Sequence, residues 1–370
     1  MTTRTVPDAR RVVVKIGSSS LVDEHGYASK RRLGKVARDL ASIAEGRGLI
    51  LVSSGAIASG LVPLGLSKPP RDMPSLQAAA AVGQGRLMAE YGRLFAARGL
   101  VAAQVLLTQE DFVRRRHFVN ARNTFERLLD ASVVPIVNEN DTVATAEIAF
   151  GDNDRLAALV AVMVQADLLV LLSDVDGIYT RDPRRGKAEL LPEVTDVAAI
   201  NASGPGSRAA KGGMASKLEA ALIATAAGTG VVVAGANRRD VLARILNGDA
   251  VGTWLPPRGR RQRGVKAWIA FASGIRGRIL VDAGAERAVR DDGRSLLAAG
   301  VSGVDGEFVA GDAVEVVGPS GTAFARGIAN YSSRELPRLA GRSSAELTEL
   351  PGGPYDREVI HRDELVVIPS

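Results

Sequence analysis

The sequence predicts an α/β protein with a mainly parallel sheet, followed by a smaller β-rich domain, on three observations. Short apolar runs at residues 12–16, 49–52, 133–137 and 168–172 break into Gly/Ser or acidic-amide turns, and helical patterns follow. Strand, turn and helix repeated in this way give parallel strands whose loops share one edge. Polar clusters gather at those same strand ends, where open α/β sheets bind ligands. Composition then changes at residues 256–264, a Pro/Gly/Arg stretch without apolar period that reads as a linker.

A chain of 370 residues is long for one core, so two domains are expected, at residues 1–260 and 276–370 with a linker region at 261–275. Apolar content of 46% with only 4% aromatics fits an Ala/Val/Leu-rich α/β protein. No 18-residue apolar run occurs, and no apolar segment near the first residues precedes a cleavage site, so neither a membrane span nor a secretory signal is expected. Zero cysteines exclude disulfides and cysteine-based metal or redox chemistry and fit a cytoplasmic setting. The first 265 residues hold 35 Lys/Arg against 26 Asp/Glu, net +9, and residues 266–370 hold 12 against 15, net −3. The first part is therefore the one suited to an anionic ligand such as a nucleotide.

The first strand, residues 12–16, carries Lys15 inside its apolar run and opens into Gly17 and three serines. A strand-end lysine commonly reaches solvent. Here the glycine admits a ligand to the backbone, and the following N–H groups can cradle phosphate oxygens beside a point charge. Ser29 is placed as the cap of an amphipathic helix running to about Gly46–Gly48. The strand at 49–52 ends in Ser53, Ser54 and Gly55, a second small-residue turn into a helix. Residues 73–98 form a long Ala-rich helical pattern interrupted by Gly83 and Gly85. Gly83-Gln-Gly85 follows no strand, so it is not read as a dinucleotide loop. After a strand at 101–107, Arg114, Arg115 and Arg116 form a solvated basic face ahead of a helix at 118–131.

Residues 135–156 organise the rest. The strand at 133–137 delivers Asn138, Glu139, Asn140 and Asp141 to its carboxyl end; Gly151-Asp-Asn-Asp154 then opens a helix capped by Asp152 or Asn153, with Leu156, Leu159, Val160 and Met163 facing a core. Either cluster alone is as well explained by ordinary turns; their repetition within one unit points to function. The strand at 168–172 ends in Ser173 and Asp174, a third loaded end. Lys211-Gly-Gly213-Met214-Ala-Ser-Lys217 opens a helix to about Gly228, in which Lys217 opposes the helix dipole unless an anion balances it. Strands at 230–234 and 252–255 and a helix at 240–246 complete this part. Beyond the linker come short strands at 278–281, 314–317, 324–329, 359–360 and 365–368 and a helix at 283–290.

Two lysines, glycine loops and acidic groups converging on one sheet edge are suited to phosphoryl transfer, which needs positioning and charge stabilisation more than covalent help from the protein. The sequence has neither a Gly-x-x-x-x-Gly-Lys-Ser/Thr loop nor a protein-kinase glycine loop. His25, His117 and His361 lie outside the motifs. A carboxylate acceptor, already ionised at pH 7, needs no general base, and that fits.

Six passages in order carry a specific resemblance: Lys15-Ile-Gly-Ser, Ser54-Gly-Ala-Ile-Ala-Ser-Gly, Asn138-Glu-Asn-Asp141-Thr, Gly151-Asp-Asn-Asp154, Ser173-Asp174-Val-Asp-Gly-Ile-Tyr, and Gly-Gly213-Met214-Ala-Ser-Lys217. Over essentially its full length the chain resembles the glutamate-phosphorylating branch of the amino acid kinase family, with a C-terminal PUA domain. The resemblance implies a three-layer αβα sandwich and transfer of the ATP γ-phosphate to the side-chain carboxylate of L-glutamate, giving γ-glutamyl phosphate for proline synthesis. It implies Mg2+ bound with the nucleotide, inhibition by L-proline and a homo-oligomer. It assigns Lys15 and Lys217 to the transferring phosphoryl group, Asp154 to holding those lysines, and Ser54, Asp141 and Asn153 to glutamate. Ser173, Asp174 and the turn of Lys211, Gly212, Gly213, Met214 and Lys217 fall to ATP, and no residue to a protein-held metal. Ala210 and Lys211 stand where the family usually has Gly-Thr before Gly-Gly-Met. Kinases of the same fold acting on aspartate, acetylglutamate, carbamate or uridylate share the phosphate loops but differ at the acceptor. A PUA tail also occurs in RNA-modifying enzymes, but its net charge of −3 speaks against strong RNA affinity.

Overall fold

Side-chain parity along the first strand explains the layering of the larger unit. In β1 (Arg11–Ile16) the residues Val12, Val14 and Ile16 point to one face of the sheet, so Val13 and Lys15 point to the other. The computed structural model describes residues 6, 8–143, 153–181, 187–196, 213–258, 266, 269, 275–348, 355 and 357–368. The chain divides into two units, Met1–Asp111 with Arg116–Arg261, and Phe112–Arg115 with Gln262–Ser370.

In order, β1 is followed by α1 (Lys30–Ala41), β2 (Gly48–Ser53), α2 (Ala56–Leu61), α3 (Met73–Ala96), β3 (Val101–Leu107), α4 (Gln109–Val113), α5 (Arg115–Asp130) and β4 (Val133–Glu139). Then come α6 (Asn153–Met163), β5 (Leu168–Ser173), α7 (Met214–Ala226), β6 (Gly230–Gly235), α8 (Val241–Leu246) and β7 (Thr253–Leu255). The seven strands lie in the order β3-β4-β2-β1-β5-β6-β7, all parallel except β7 against β6. Leu33, Val36 and Leu40 of α1, Leu87, Tyr91 and Phe95 of α3, and Val241, Leu242 and Ile245 of α8 cover the Val12/Val14/Ile16 face. Helices α6 and α7 pack on the opposite one, which makes a three-layer αβα sandwich. Parallel strands covered on both faces read as near-continuous apolar runs, and β5 and β6 are buried at every residue. Strand β1 is flanked by β2, whose side of the sheet is built first, and by β5, which starts the other side. Its carboxyl end is therefore the topological switch point, where such sheets take their ligands.

Several expectations are corrected. Helix α1 ends at Ala41, short of the glycines at 46 and 48, because the chain tightens there to i→i−3 bonds from Ile43 to Leu40 and Ala44 to Ala41. Ser29 holds the N-cap position without a side-chain capping bond. Helix α3 runs unbroken through Gly83 and Gly85. The proposed cap Asp152 lies outside the described residues; Asn153 is the first residue of α6.

In the second unit β8 (Ile275–Val281), α9 (Ala283–Arg290), β9 (Val301–Gly306), β10 (Ala313–Val317), β11 (Ala323–Ile328), α10 (Leu336–Leu339), α11 (Ser344–Thr348) and β12 (Leu365–Val367) follow in order. They form a five-stranded sheet ordered β12-β11-β10-β8-β9 over its own core, which includes Ile279, Val314, Phe324, Leu336 and Ile360. Strand β9 went unread because Val301-Ser-Gly-Val-Asp-Gly306 has two glycines and partial exposure. The strand expected at 359–360 reduces to one bridge, between Ile360 and Leu296.

Two glycines at the α2–α3 crossing bring backbone against backbone. A Cβ on Gly60 would meet the Ala79 carbonyl, and one on Gly83 the Ala56 carbonyl, whereas Gly85 faces open space. Gly83→Ala should therefore destabilise the first unit by about 1–3 kcal/mol through overpacking. Gly85→Ala, in the same helix, should stabilise by about 0.5–1 kcal/mol by removing helix-interior glycine. Urea denaturation of the two variants checks the pair, and equal midpoints would contradict it.

Candidate active site

The carboxyl ends of β1, β2 and β4 and the starts of α6 and α7 meet at the switch point. Lys15, on the α6/α7 face by parity, is 2% exposed and its ammonium lies 2.5 Å from Asp154 Oδ1. Lys217 approaches the same carboxylate from α7, its Nζ 3.0 Å from Oδ2. Asp154 itself is fully buried. Ser216 Oγ lies 3.1 Å from Oδ2 and 2.8 Å from the Gly213 carbonyl, tying the start of α7 to the same group. The conflict between Lys217 and the α7 dipole is thus met by Asp154, which sits in the first turn of α6, where that helix's dipole favours an anion. Two ammonium groups are thus held in place at one buried carboxylate, a preorganised set of charges suited to a phosphoryl group.

Gly17 adopts φ −77°, open to any residue. A Cβ there would stand in ordinary contact with the Lys15 ammonium, at 3.6 Å, so neither backbone nor space requires glycine at this position. Gly55, with φ +105°, does need the left-handed region, and it turns the chain from β2 into α2. The Ser54 N–H donates to the Ile16 carbonyl at 3.3 Å, joining the ends of β1 and β2.

Asn153, next to Asp154, looks toward the other side of the switch point. Its amide nitrogen lies 3.0 Å from Ser54 Oγ, 3.3 Å from the Ser53 carbonyl and 2.9 Å from Asn138 Oδ1. Asn138 in turn donates to Gln84 Oε1 at 2.9 Å. Asp141 lies just past β4, half-buried, and burial pushes its carboxyl up to about 6. At the end of β5, Ser173 Oγ lies 3.0 Å from Asp174 Oδ1. Ser173 is buried and Asp174 exposed. Nearby Asp176 makes a two-bond pair with Arg238, both at 2.9 Å, and that guanidinium holds its carboxyl below the usual range.

Of the residues singled out in the sequence, Lys15, Asp154 and Lys217 come together, and so do Ser54, Asn153 and Asn138. Gly213 and Met214 form the cap and first residue of α7; Lys211 and Gly212 lie outside the described residues. Gln84 and Tyr91 belong to no motif in the sequence. Both sit on the buried stripe of α3 among Ala80, Leu87 and Phe95, and Tyr91 OH lies 2.9 Å from Ser53 Oγ. Burial pushes the Tyr91 phenol above its ordinary range. A polar side chain at core spacing in an apolar helix was the available signal.

Removing one member of a buried charge group leaves the others uncompensated. Asp154→Asn should thus lower the stability of the first unit by about 3–5 kcal/mol. Glu219→Gln, which removes only the exposed ion pair with Arg155, should change it by less than about 1 kcal/mol. Chemical denaturation reads both, and an unaltered midpoint in Asp154→Asn would refute the compensating role.

Residues 10–235 match the family model described as the amino acid kinase family, and residues 277–350 match the PUA domain. A glutamate 5-kinase from Salinispora arenicola is 51% identical over 368 residues, covering 98% of this chain and 99% of the relative. Glutamate 5-kinases from Streptomyces coelicolor and Frankia casuarinae are 49% and 48% identical, covering 99% and 98% of this chain and 98% of each relative. A solved UMP kinase from Bacillus anthracis overlays 68% of this chain and 97% of its own at TM-score 0.47 and 17% identity, too distant to bear on the site. With a family model across most of the first unit and relatives at half identity end to end, the chain belongs to the amino acid kinase family, alongside the glutamate 5-kinases, carries a PUA domain and is a kinase.

Proposed function

We propose that this kinase transfers the γ-phosphoryl group of ATP to the γ-carboxylate of L-glutamate, forming γ-glutamyl phosphate at the first step of proline synthesis. The observation that carries the reading is the adjacency, on one helix start, of Asp154 with its two ammonium groups and Asn153 with its amide and hydroxyl partners. One ligand can then hold its reacting end at the lysines and its other end at Ser54, Asn153 and Asp141. The glutamate 5-kinase relatives support glutamate as that ligand.

In the reaction a glutamate carboxylate oxygen attacks the γ-phosphorus, the bond to the β–γ bridging oxygen breaks, and ADP leaves. The acceptor is already ionised at neutral pH, so no proton need be removed. Lys15 and Lys217 stabilise the charge on the equatorial and bridging oxygens, and Asp154 keeps both ammonium groups in place beforehand, so little reorganisation is needed as the barrier is crossed. Ser173, Asp174, Lys211, Gly212, Gly213 and Met214 are assigned to ATP. Magnesium, carried on the nucleotide phosphates, would neutralise part of their charge; the Asp154 carboxylate is engaged by the two lysines.

The α-ammonium of glutamate is assigned to Asp141, whose desolvated carboxyl gains a cationic partner on binding. L-Proline shares the α-carboxylate and a cationic nitrogen but lacks the group to be phosphorylated, so it fits the same end of the pocket as an inhibitor. Three further assignments belong to the reading: a catalytic domain at 1–260 joined through 261–275 to a PUA-like domain at 276–370, a cytoplasmic location, and a homo-oligomeric state. The last follows from the resemblance alone. Among the described residues no helix is long and apolar enough to cross a membrane. RNA binding by the PUA-like domain, whose 11 Lys/Arg against 15 Asp/Glu give a net charge of −4, is not favoured beyond a weak, salt-sensitive contact.

ATP turnover should require magnesium and L-glutamate, and hydroxylamine should trap the acyl phosphate as a hydroxamate. Turnover with L-aspartate, N-acetyl-L-glutamate or UMP but not with glutamate would refute the acceptor. Lys15→Ala and Lys217→Ala should each lower kcat by about 10²- to 10³-fold, as loss of a preorganised charge stabiliser does, with a much smaller rise in the KM for glutamate. Steady-state kinetics with near-normal kcat would remove that lysine from the mechanism.

Asp141 gives a pH prediction. With its carboxyl near 6 in the free enzyme, it must lose a proton to meet an ammonium, so the KM for glutamate should rise as pH falls below about 6 and level off above 7. Because its folded value is raised above 3.8, its contribution to stability is fullest below about pH 4 and is lost as pH rises through about 6. Asp141→Asn should accordingly be no less stable at pH 8, yet bind glutamate and proline more weakly and without that pH dependence. Calorimetric titration across pH 5–8 checks this, and intact proline binding in the variant would separate the two sites.

A further inference from the structure

We infer that Gln84 is a positioning residue for the acceptor: through Asn138 it helps hold the Asn153 amide in the orientation that the Ser53 carbonyl sets. The inference rests on the reading that Asn153 contacts the acceptor. Gln84 is 9% exposed and sits on the buried stripe of α3, a place otherwise held by apolar side chains. Its carbonyl oxygen accepts from Asn138 Nδ2 at 2.9 Å, and Asn138 Oδ1 accepts from Asn153 Nδ2 at 2.9 Å. The Ser53 carbonyl, which can only accept, sets the polarity at the Asn153 end, and the Gln84 oxygen completes the relay at the other. An Asn138 amide turned the other way would aim its NH2 at the NH2 of Asn153 and its oxygen at the oxygen of Gln84, so both contacts would become repulsive. Held as it is, Asn153 directs its amide nitrogen to Asn138, Ser54 and the Ser53 carbonyl. Its carbonyl oxygen is then the face left to accept from a ligand donor such as an ammonium. The Gln84 Nε2 group has no hydrogen-bond partner among the described residues, so what the site uses is the acceptor oxygen. The relay does not involve Lys15, Asp154 or Lys217.

The test compares Gln84→Met, similar in length without the acceptor, with Gln84→Glu, which keeps an acceptor oxygen at the same reach. Gln84→Met should raise the KM for L-glutamate by about 10- to 100-fold, in the range of losing a buried hydrogen bond and its orienting effect. Its kcat and its KM for ATP should stay within about threefold of wild type, because the phosphoryl end is untouched. Gln84→Glu should restore most of the affinity. A role limited to helix packing would lower the melting temperature and the active fraction without this split, and would give Gln84→Glu no advantage. Wild-type KM in Gln84→Met, equal impairment in both variants, or a loss confined to kcat would each overturn the inference. If Gln84→Met does not fold, Gln84→Asn, which withdraws the acceptor by one methylene, must show the same split, and a wild-type KM there overturns it. If wild type fails to turn over glutamate, the acceptor assignment falls. The relay is then judged by the same split with whichever of L-aspartate, N-acetyl-L-glutamate or UMP is phosphorylated, and it is overturned if that split is absent.

Discussion

The structure of the first unit depends on how one buried carboxylate is compensated. Asp154 is fully enclosed, a position that an isolated carboxylate cannot occupy at neutral pH without a large desolvation penalty. Two ammonium groups, from the first strand and from the start of α7, meet it. Neither lysine is there to reach solvent, although that is the common fate of lysine in a strand or at a helix start. The cluster links β1, α6 and α7, which belong to two layers of the sandwich. The sheet order places it where β1 separates the two halves of the sheet. A well-packed apolar trio of similar volume would serve stability as well or better. Retaining charge at that point is therefore a constraint of chemistry.

Much of this was legible in the residues because each part broke a local rule. Lys15 interrupts an apolar strand, and strand parity alone sends it to the face of Val13, away from Val12 and Val14. Lys217 opposes a helix dipole, which called for an anion; the anion turned out to be a residue of the protein, 63 positions earlier in sequence. The strands of the parallel sheet read clearly since burial on both faces leaves them apolar throughout. Strand β9 did not, because Gly303 and Gly306 carry turn chemistry and the alternation is blurred by partial exposure. The end of α1 was misplaced for a related reason: apolar periodicity persists through Ile43 and Ala44, both packed against the core, after the helical bonding has already tightened.

The α3 helix is where sequence reasoning had least to work with. Its glycines looked like interruptions, yet one of them is what lets α2 lie against it, since any side chain at Gly83 would strike the Ala56 carbonyl. Close approach of the helices also helps fix α2 and so the Ser53–Ser54 turn that precedes it. Gln84 and Tyr91, seven residues apart on the same stripe, add the side-chain half of that arrangement by reaching Asn138 and Ser53. Gln84 shares core spacing with Leu87 and Tyr91, a signal that gains weight only once the buried face of the helix is known.

On the function proposed above, the neighbours Asn153 and Asp154 would let a single helix start serve two ends of one small ligand. Consecutive residues in an α-helix diverge by about 100°, so the two side chains necessarily look in different directions, one toward β2 and β4 and the other toward β1 and α7. The separation between an amide pocket and a charged pocket is then set by helical geometry instead of by loops, and it does not drift when the surface loops move. Charge follows the same logic. The α6 dipole supports the ionised Asp154 in its first turn, while the amide pocket beside it is built from neutral groups whose hydrogen bonds leave one direction open. On the function proposed above, an acceptor with a cationic end and an anionic end would meet polar groups and Asp141 at one side of this helix start and the two lysines at the other.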